Sequence, residues 1–257
     1  VNDRRLRYLL DQTTAVRRPV AESVLILDDT LCEHVGSLFE YVDRHYNHGD
    51  DTYPLAHNLV TSHFVSGAVR FPVDLRQYRR YDELTQWESF VEKHFPERPM
   101  PTKRKERAAL HKQVDAQLLT DPEFLALHQQ FRTKINLALD LLDTAVRRKL
   151  PFSLLLFDGW YLTEELVAAA RRHKKDWISL LKKNRNLESY SFTLKDASDQ
   201  PVALPGPHIA VQKLIPLIPA TAYRPVTVND RTYWTFSRTV RIPDLGKVRL
   251  VISFQNA

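Results

Sequence analysis

Cysteine is nearly missing from this chain: one residue, Cys32, in 257. A single thiol excludes an intramolecular disulfide and any cysteine-rich zinc site, and it suits a reducing cytosol. Cys32 lies close to Asp29 in sequence, but no dyad partner is identifiable, so it is read as incidental. Glycine is scarce too, with six residues, which makes each glycine in a turn position more telling. No apolar stretch approaches the length of a membrane span, and no signal peptide opens the chain. Internal repeats and low-complexity tracts are absent. Among the ten histidines, His34, His45, His48, His57 and His63 have no ligand-like spacing and no cysteine partner, so none is read as a metal ligand. Val1 is not a start methionine and the last residues read as the end of a strand, so both ends are expected to be cut.

Hydrophobic residues make up 43% and charged residues 26%, the balance of a packed globular protein. Lys plus Arg number 37 against 31 Asp plus Glu, a formal charge of +6. An excess of that size fits a polyanionic partner without demanding one.

What stands out against this background is an apolar run that stops on two acids and a threonine, Val24-Leu25-Ile26-Leu27-Asp28-Asp29-Thr30. A second run, Leu154-Leu155-Leu156-Phe157, stops on Asp158. Short continuous apolar runs read as strands covered on both faces, as in a parallel sheet. Carboxylates at the carboxyl ends of such strands sit on the ligand-binding edge of an open α/β sheet. Two acids there, with no Cys or His cluster, suit a hard cation such as Mg²⁺ and outline a phosphoryl-transfer site. The bland reading is that Asp often closes strands because its side chain bonds nearby backbone N–H groups.

Residues 4–10 read as the last turns of a helix, and strand one is expected at about 23–28. A polar stretch, 33–53, leads into alternating residues at 57–64 and 69–75, with Gly67 supplying a hairpin turn. Residues 76–103 are charged, aromatic and Pro-rich, and are expected to wander over the surface. Two helices follow, the second opened by Asp121, Pro122 and Glu123. Its apolar stripe of Phe124, Leu127, Phe131, Ile135, Ala138, Leu142 and Ala145 predicts one continuous helix. Thr163, Glu164 and Glu165 open another helix, which Arg171 and Arg172 close with matching dipole charge. Residues 177–181 are expected to form a third buried strand. From Pro201 prolines become frequent, and alternation at 233–242, a turn at 243–246 and residues 247–254 predict a β-rich appendage.

Strand, hairpin, helices, strand, helix, strand is the order of an RNase H-like fold, a mixed α/β sheet with flanking helices. Asp28-Asp29-Thr30, Tyr53-Pro54-Leu55, Phe157-Asp158-Gly159-Trp160-Tyr161 and Lys182-Lys183-Asn184-Arg185, in that order, resemble DDE transposases of bacterial insertion sequences. The likeness is to insertion sequence family 701 within the wider family 4 group, and it covers nearly the whole chain. The resemblance implies Asp29 and Asp158 as catalytic, metal-binding acids for two Mg²⁺ or Mn²⁺ ions, Asp29 bridging both. Asp28 is either a neighbour supporting that site or merely polar. The family's third acid, a Glu within a Tyr, Arg, Glu, Lys pattern, has no counterpart after Asp158; Glu164, Glu165 and Glu188 occur too early. The expected segmentation is therefore 1–20, the end of an upstream helical region; 21–190, the RNase H-like core; and 191–257, a β-rich insertion that ends before the third acid, so that this chain alone is expected to be inactive. DNA as substrate, a homodimer on transposon ends, and a bacterial cytoplasmic, nucleoid-associated location follow from the same resemblance.

Basic clusters occur at Arg79-Arg80, 103–105, 171–175 and 182–185. A charge run is ordinarily a solvated face. The last cluster differs, because it follows a strand expected to be parallel to those bearing the acids. Lys182, Lys183 and Arg185 are therefore candidates for phosphate contacts. Trp160 and Tyr161 either stack on a frayed base or pack into the core. Two competing readings stay open: an RNase H-like nuclease drawing further acids from elsewhere in the chain, and a non-enzymatic DNA-binding remnant of a transposase.

Overall fold

A twelve-residue strand organises the first half of the molecule. The computed structural model describes residues 2–12, 23–36, 39–47, 49–196 and 198–255. His48, residues 1 and 13–20 of the expected upstream segment and residues 256–257 of the expected insertion lie outside that range. The chain divides into two units, Val1–Leu156 and Phe157–Ala257. Among the described residues, no helix is long and apolar enough to cross a membrane.

In the first unit, α1 (Asn2–Gln12) covers the helical turns expected at 4–10 and buries Leu6. β1 (Val24–Glu33) runs beyond its expected end at residue 28, so Asp28 and Asp29 lie inside a strand instead of closing one. The cause is its partner. β2 (Asp43–Arg44) is short, but β3 (Leu55–Ser66) pairs with β1 from Val24↔Val65 to Glu33↔Ala56, satisfying backbone groups along all of β1. β4 (Val69–Tyr78) returns along the other edge of β3. Gly67 makes that turn at φ 59°, a left-handed value that glycine adopts at no steric cost. β5 (Leu154–Phe157) lies beside β1. The amides of Ser153 and Leu154 donate to the Ser23 carbonyl at 2.9 and 3.1 Å, so β5 starts where β1 starts and runs the same way. The sheet is thus mixed.

The segment expected to wander over the surface is partly helical and contributes to a core. α2 (Tyr81–Leu84) and α3 (Trp87–His94) lie within it. Trp87, Phe90 and Val91, spaced by three and four, pack with Leu110, Val114 and Leu118 of α4 (Arg104–Leu118) and with Phe124 of α5 (Pro122–Gln130). Burial of large apolar side chains outweighs the charged composition, because the charges occupy the other helix faces. The single helix expected over 122–145 is two. α5 starts as expected, with the Asp121 carboxylate accepting from the Glu123 and Phe124 amides. Phe131 then turns extended, at φ −64° and ψ 137°, and Thr133 and Asn136 form a capping box that opens α6 (Lys134–Arg147). A Thr hydroxyl that captures an amide offers the backbone an alternative to continuing the helix, and here it prevails over the apolar stripe.

In the second unit, α7 (Glu164–Arg172) is capped by Thr163, whose hydroxyl accepts from the Leu166 amide, and it carries its acids and arginines at the expected ends. β6 (Asp176–Ser179) is a correction to the expected buried strand. It alternates, turning Ile178 and, just past its end, Leu180 to solvent at 54% and 74% exposure. Only the face bearing Trp177 is covered. β7 (Asn186–Glu188) pairs with β8 (His208–Ala210), and α8 (Val211–Leu214) follows. β9 (Arg224–Val228), β10 (Arg231–Ile242) and β11 (Gly246–Gln255) form a three-stranded antiparallel sheet. Phe236, Val240 and Ile242 are buried on one of its faces, as the alternation predicts.

Candidate active site

Strand parity decides what the acids of β1 can do. Leu25 and Leu27 are fully buried, and Asp29 shares their face, while Asp28 points to the exposed one. An aspartate on the core face needs a compensating charge or donor. Lys134, the first residue of α6, provides it: its Nζ lies 2.5 Å from Asp29 Oδ2. The ammonium also sits over the Tyr78 ring, 5.3 Å from its centroid. Asp28 has a backbone role, its Oδ1 accepting from the Asp29 amide at 2.8 Å. Its carboxylate faces away from that of Asp29.

Lys134 is a residue the sequence reading missed, and it left a signal. A cation in the first turn of a helix opposes the positive end of the helix dipole. Such a placement implies a nearby anion. The continuous helix expected over 122–145 concealed it, because Lys134 then fell mid-helix.

In the second unit Asp158 follows directly on the last residue of β5 and is exposed. The Gly159 amide donates to its Oδ1, and the Tyr161 amide donates to its carbonyl at 3.0 Å. These bonds fold residues 158–161 into a tight turn. Among the described residues, Oδ2 has no partner. The turn also separates the two aromatics. Trp160 is 50% exposed, whereas Tyr161 is fully buried, its ring edge-on to Trp160 at 5.0 Å between centroids. Of the two readings of these rings, core packing holds for Tyr161, which the turn directs inward, so its place among the DNA-contacting candidates is corrected.

Trp160 lines a cleft of 440 Å³ together with Lys182, Arg185 and the carboxamides of Asn184 and Asn186. Asp244 stands at the same cleft. The Arg185 amide donates to the Lys182 carbonyl at 2.9 Å, closing a turn that presents both cations to one space. Lys183 does not line the cleft; it is exposed, and its carbonyl accepts from the Gln212 amide at 2.8 Å. Two cations, two carboxamides and a half-exposed indole suit a phosphate joined to an aromatic ring. In the neighbouring basic run, Arg171 is spoken for, donating to the Leu245 carbonyl at 2.6 Å, and burial lowers the Lys175 ammonium from its ordinary value.

The oxygen donors of Asp29 and Asp158 match Mg²⁺ in kind, since that ion retains several waters and takes one or two carboxylates plus substrate phosphates. Among the described residues, no group of three or more His, Cys, Asp or Glu is placed to hold a metal ion.

A mixed sheet with flanking helices, and aspartates borne on or just after its strands, fits a DDE nuclease. The family model described as DDE superfamily endonuclease matches residues 2–239, and the chain belongs to that family. No curated protein and no solved structure matches the chain. The family acts on DNA as an endonuclease and typically uses divalent metal ions.

Proposed function

We propose that the chain is the catalytic core of an insertion-sequence transposase of the family 4 group and family 701 type, with Asp29 and Asp158 as its first two acids. The observation that carries this is Asp29, a carboxylate on the same face of β1 as Leu25 and Leu27, still 29% exposed and so open to a ligand. In this reading residues 21–190 form the RNase H-like core and 191–257 an insertion, and the protein works as a homodimer on transposon ends at the nucleoid. No residue is assigned as the third acid.

Asp29 and Asp158 would hold the divalent ions. Such ions, when bound, polarise the phosphodiester and make a water or DNA 3′-hydroxyl a better nucleophile. The rest falls to the chain's own groups. Lys182 and Arg185 grip a phosphate, and Trp160 receives an unstacked base beside it. Lys134 orients the Asp29 carboxylate.

The Lys134–Asp29 contact also favours a second reading. An ammonium 2.5 Å from the carboxylate neutralises it without a metal, as suits a DNA-binding remnant that no longer cuts. One experiment separates the two: Mn²⁺ binding and DNA cleavage by the wild type, Asp29→Asn and Asp158→Asn. Under the transposase reading, each variant weakens Mn²⁺ binding in this chain and loses cleavage in the complete enzyme, which supplies the third acid. Binding and cleavage intact in both variants would sink that assignment. A wild type that holds DNA but neither binds Mn²⁺ nor cuts is the remnant.

A further inference from the structure

The register of the three-stranded sheet sorts its residues onto two faces, because directly paired residues of antiparallel strands point the same way. One face carries Phe236, Val240 and Ile242, all three buried, with Arg238 exposed among them. The other carries five cations: Arg224 opposite Thr235, Arg231 opposite Val228, Arg249 opposite Thr239, and Lys247 opposite Arg241. Not one Asp or Glu shares that face. Between the cations stand the hydroxyls of Thr235, Ser237, Thr239 and Ser253. All five cations are exposed.

An ordinary solvated strand face mixes charges of both signs, and like charges set directly opposite each other are unfavourable. Here Arg241 and Lys247 are such a pair. Glu188 relieves Arg241 alone, at 3.1 Å. Among the described residues, Arg224, Arg231, Lys247 and Arg249 have no ion pair. Arg249 is further oriented, its Nε donating to Ser237 Oγ at 2.7 Å.

The placement is directional as well. Arg231 and Arg224 lie at one end, on β10 and the β9 edge; Arg249 and Lys247 lie at the other, on the β11 edge. The cations form a diagonal stripe spanning ten residues of β10, roughly 34 Å at about 3.4 Å per residue. That length matches about ten nucleotides of duplex at ~3.4 Å per step along each strand.

We infer that this face is a second DNA-binding surface, gripping the phosphate backbone of duplex DNA through Arg224, Arg231, Lys247 and Arg249, with the hydroxyls as supplementary donors. It rests on the reading of DNA as the partner and adds a contact region separate in sequence from the acids; the β10–β11 turn of the same sheet supplies Asp244 to the cleft at Trp160. Phosphate grip of this kind positions DNA without reading its sequence.

The test is binding of a fluorescent 30-base-pair duplex of arbitrary sequence, measured by anisotropy across NaCl concentrations. Neutralising the four positions together (Arg224→Gln, Arg231→Gln, Lys247→Gln and Arg249→Gln) should flatten the slope of log affinity against log salt by about 3 to 4, close to 0.9 per lost contact. Charge-keeping replacement of the three arginines by lysine should leave the slope near the wild-type value. The unmutated protein gives a second readout: duplex should shield Lys247 from acetylation, detected by mass spectrometry. An unchanged slope in the neutralised variant, or an unshielded Lys247 when duplex is bound, overturns this inference and leaves DNA as partner intact. A wild type that does not bind duplex even at low salt overturns both.

Discussion

Replacing Gly159 by alanine should damage the second unit out of proportion to one methyl group. A Cβ built at Gly159 would stand 2.6 Å from the Leu180 carbonyl oxygen, 3.4 Å from its carbonyl carbon and 3.6 Å from its Cβ. An ordinary carbon–oxygen contact is about 3.3 Å, so one of the two backbones must move by roughly 0.7 Å. Neither moves easily. Residues 158–161 are held by the amide bonds to Asp158, and Leu180 leads directly into the Leu181-Lys182 wall of the cleft. Overpacking of this kind costs about 1–3 kcal/mol. For a protein of this size that corresponds to a fall in Tm of roughly 2–12 °C. Thermal unfolding followed by circular dichroism is the assay, with Gly159→Ser as a second variant meeting the same carbonyl. A Tm within about 1 °C of wild type for both variants would refute the close approach of the two segments, and with it the account of how Asp158 and the cleft wall are held.

Two further expectations follow from neighbouring side chains with opposite surroundings. Tyr161→Ala removes a fully buried ring and should cost about 3–5 kcal/mol of stability, whereas Trp160→Ala should cost less than half as much while weakening single-stranded DNA binding by about 1–3 kcal/mol; equal stability losses in denaturant titrations would contradict the turn geometry. Asp74 supplies a pH dependence. Burial by itself would raise its carboxyl, but hydrogen bonds from Arg148 at 2.6 Å, from the Leu75 amide and from Arg76 outweigh burial and hold it below its ordinary value of 3.8. A carboxyl with a depressed folded-state pKa stabilises above the unfolded value and loses that contribution as pH falls through the folded one. Asp74→Asn should therefore be less stable than wild type by about 1.5–3 kcal/mol at pH 6, with the gap closing below about pH 4; a gap constant down to pH 2 would show that the carboxylate charge is not the cause.

The hairpin of β3 and β4 was legible because period-two alternation and a glycine turn are local signals. The start of α5 was legible for the same reason: Asp121, Pro122 and Glu123 act within four residues. What escaped depends on competition between local signals. The stripe from Phe124 to Ala145 is a true helical pattern, but it says nothing of the Thr133–Asn136 cap that interrupts it. Charge and proline obscured Trp87, Phe90 and Val91, although their spacing was helical. At the candidate site, sequence order singled out Asp29, Asp158, Lys182 and Arg185, but the strand end read from it is real only at Asp158, because pairing with β3 carries β1 on past Asp29. It could not separate Trp160 from Tyr161, or Lys182 from Lys183, because a tight turn decides which of two adjacent side chains faces in. Asn186 and Asp244 join the cleft from segments that no spacing links to it.

The break between α5 and α6 has a consequence for the acid on β1. Each residue of an α-helix advances the side-chain direction by about 100°, so a helix running on from α5 would carry the phase of α5 into residue 134. The cap at Thr133 and Asn136 starts α6 afresh, leaving its phase to its own buried residues, Leu137, Ala138, Leu141, Leu142 and Ala145. Those residues aim the ammonium as a clock's movement sets its hand: inserting one residue between Lys134 and Leu137 would turn it by about 100°, away from Asp29, with every core contact kept.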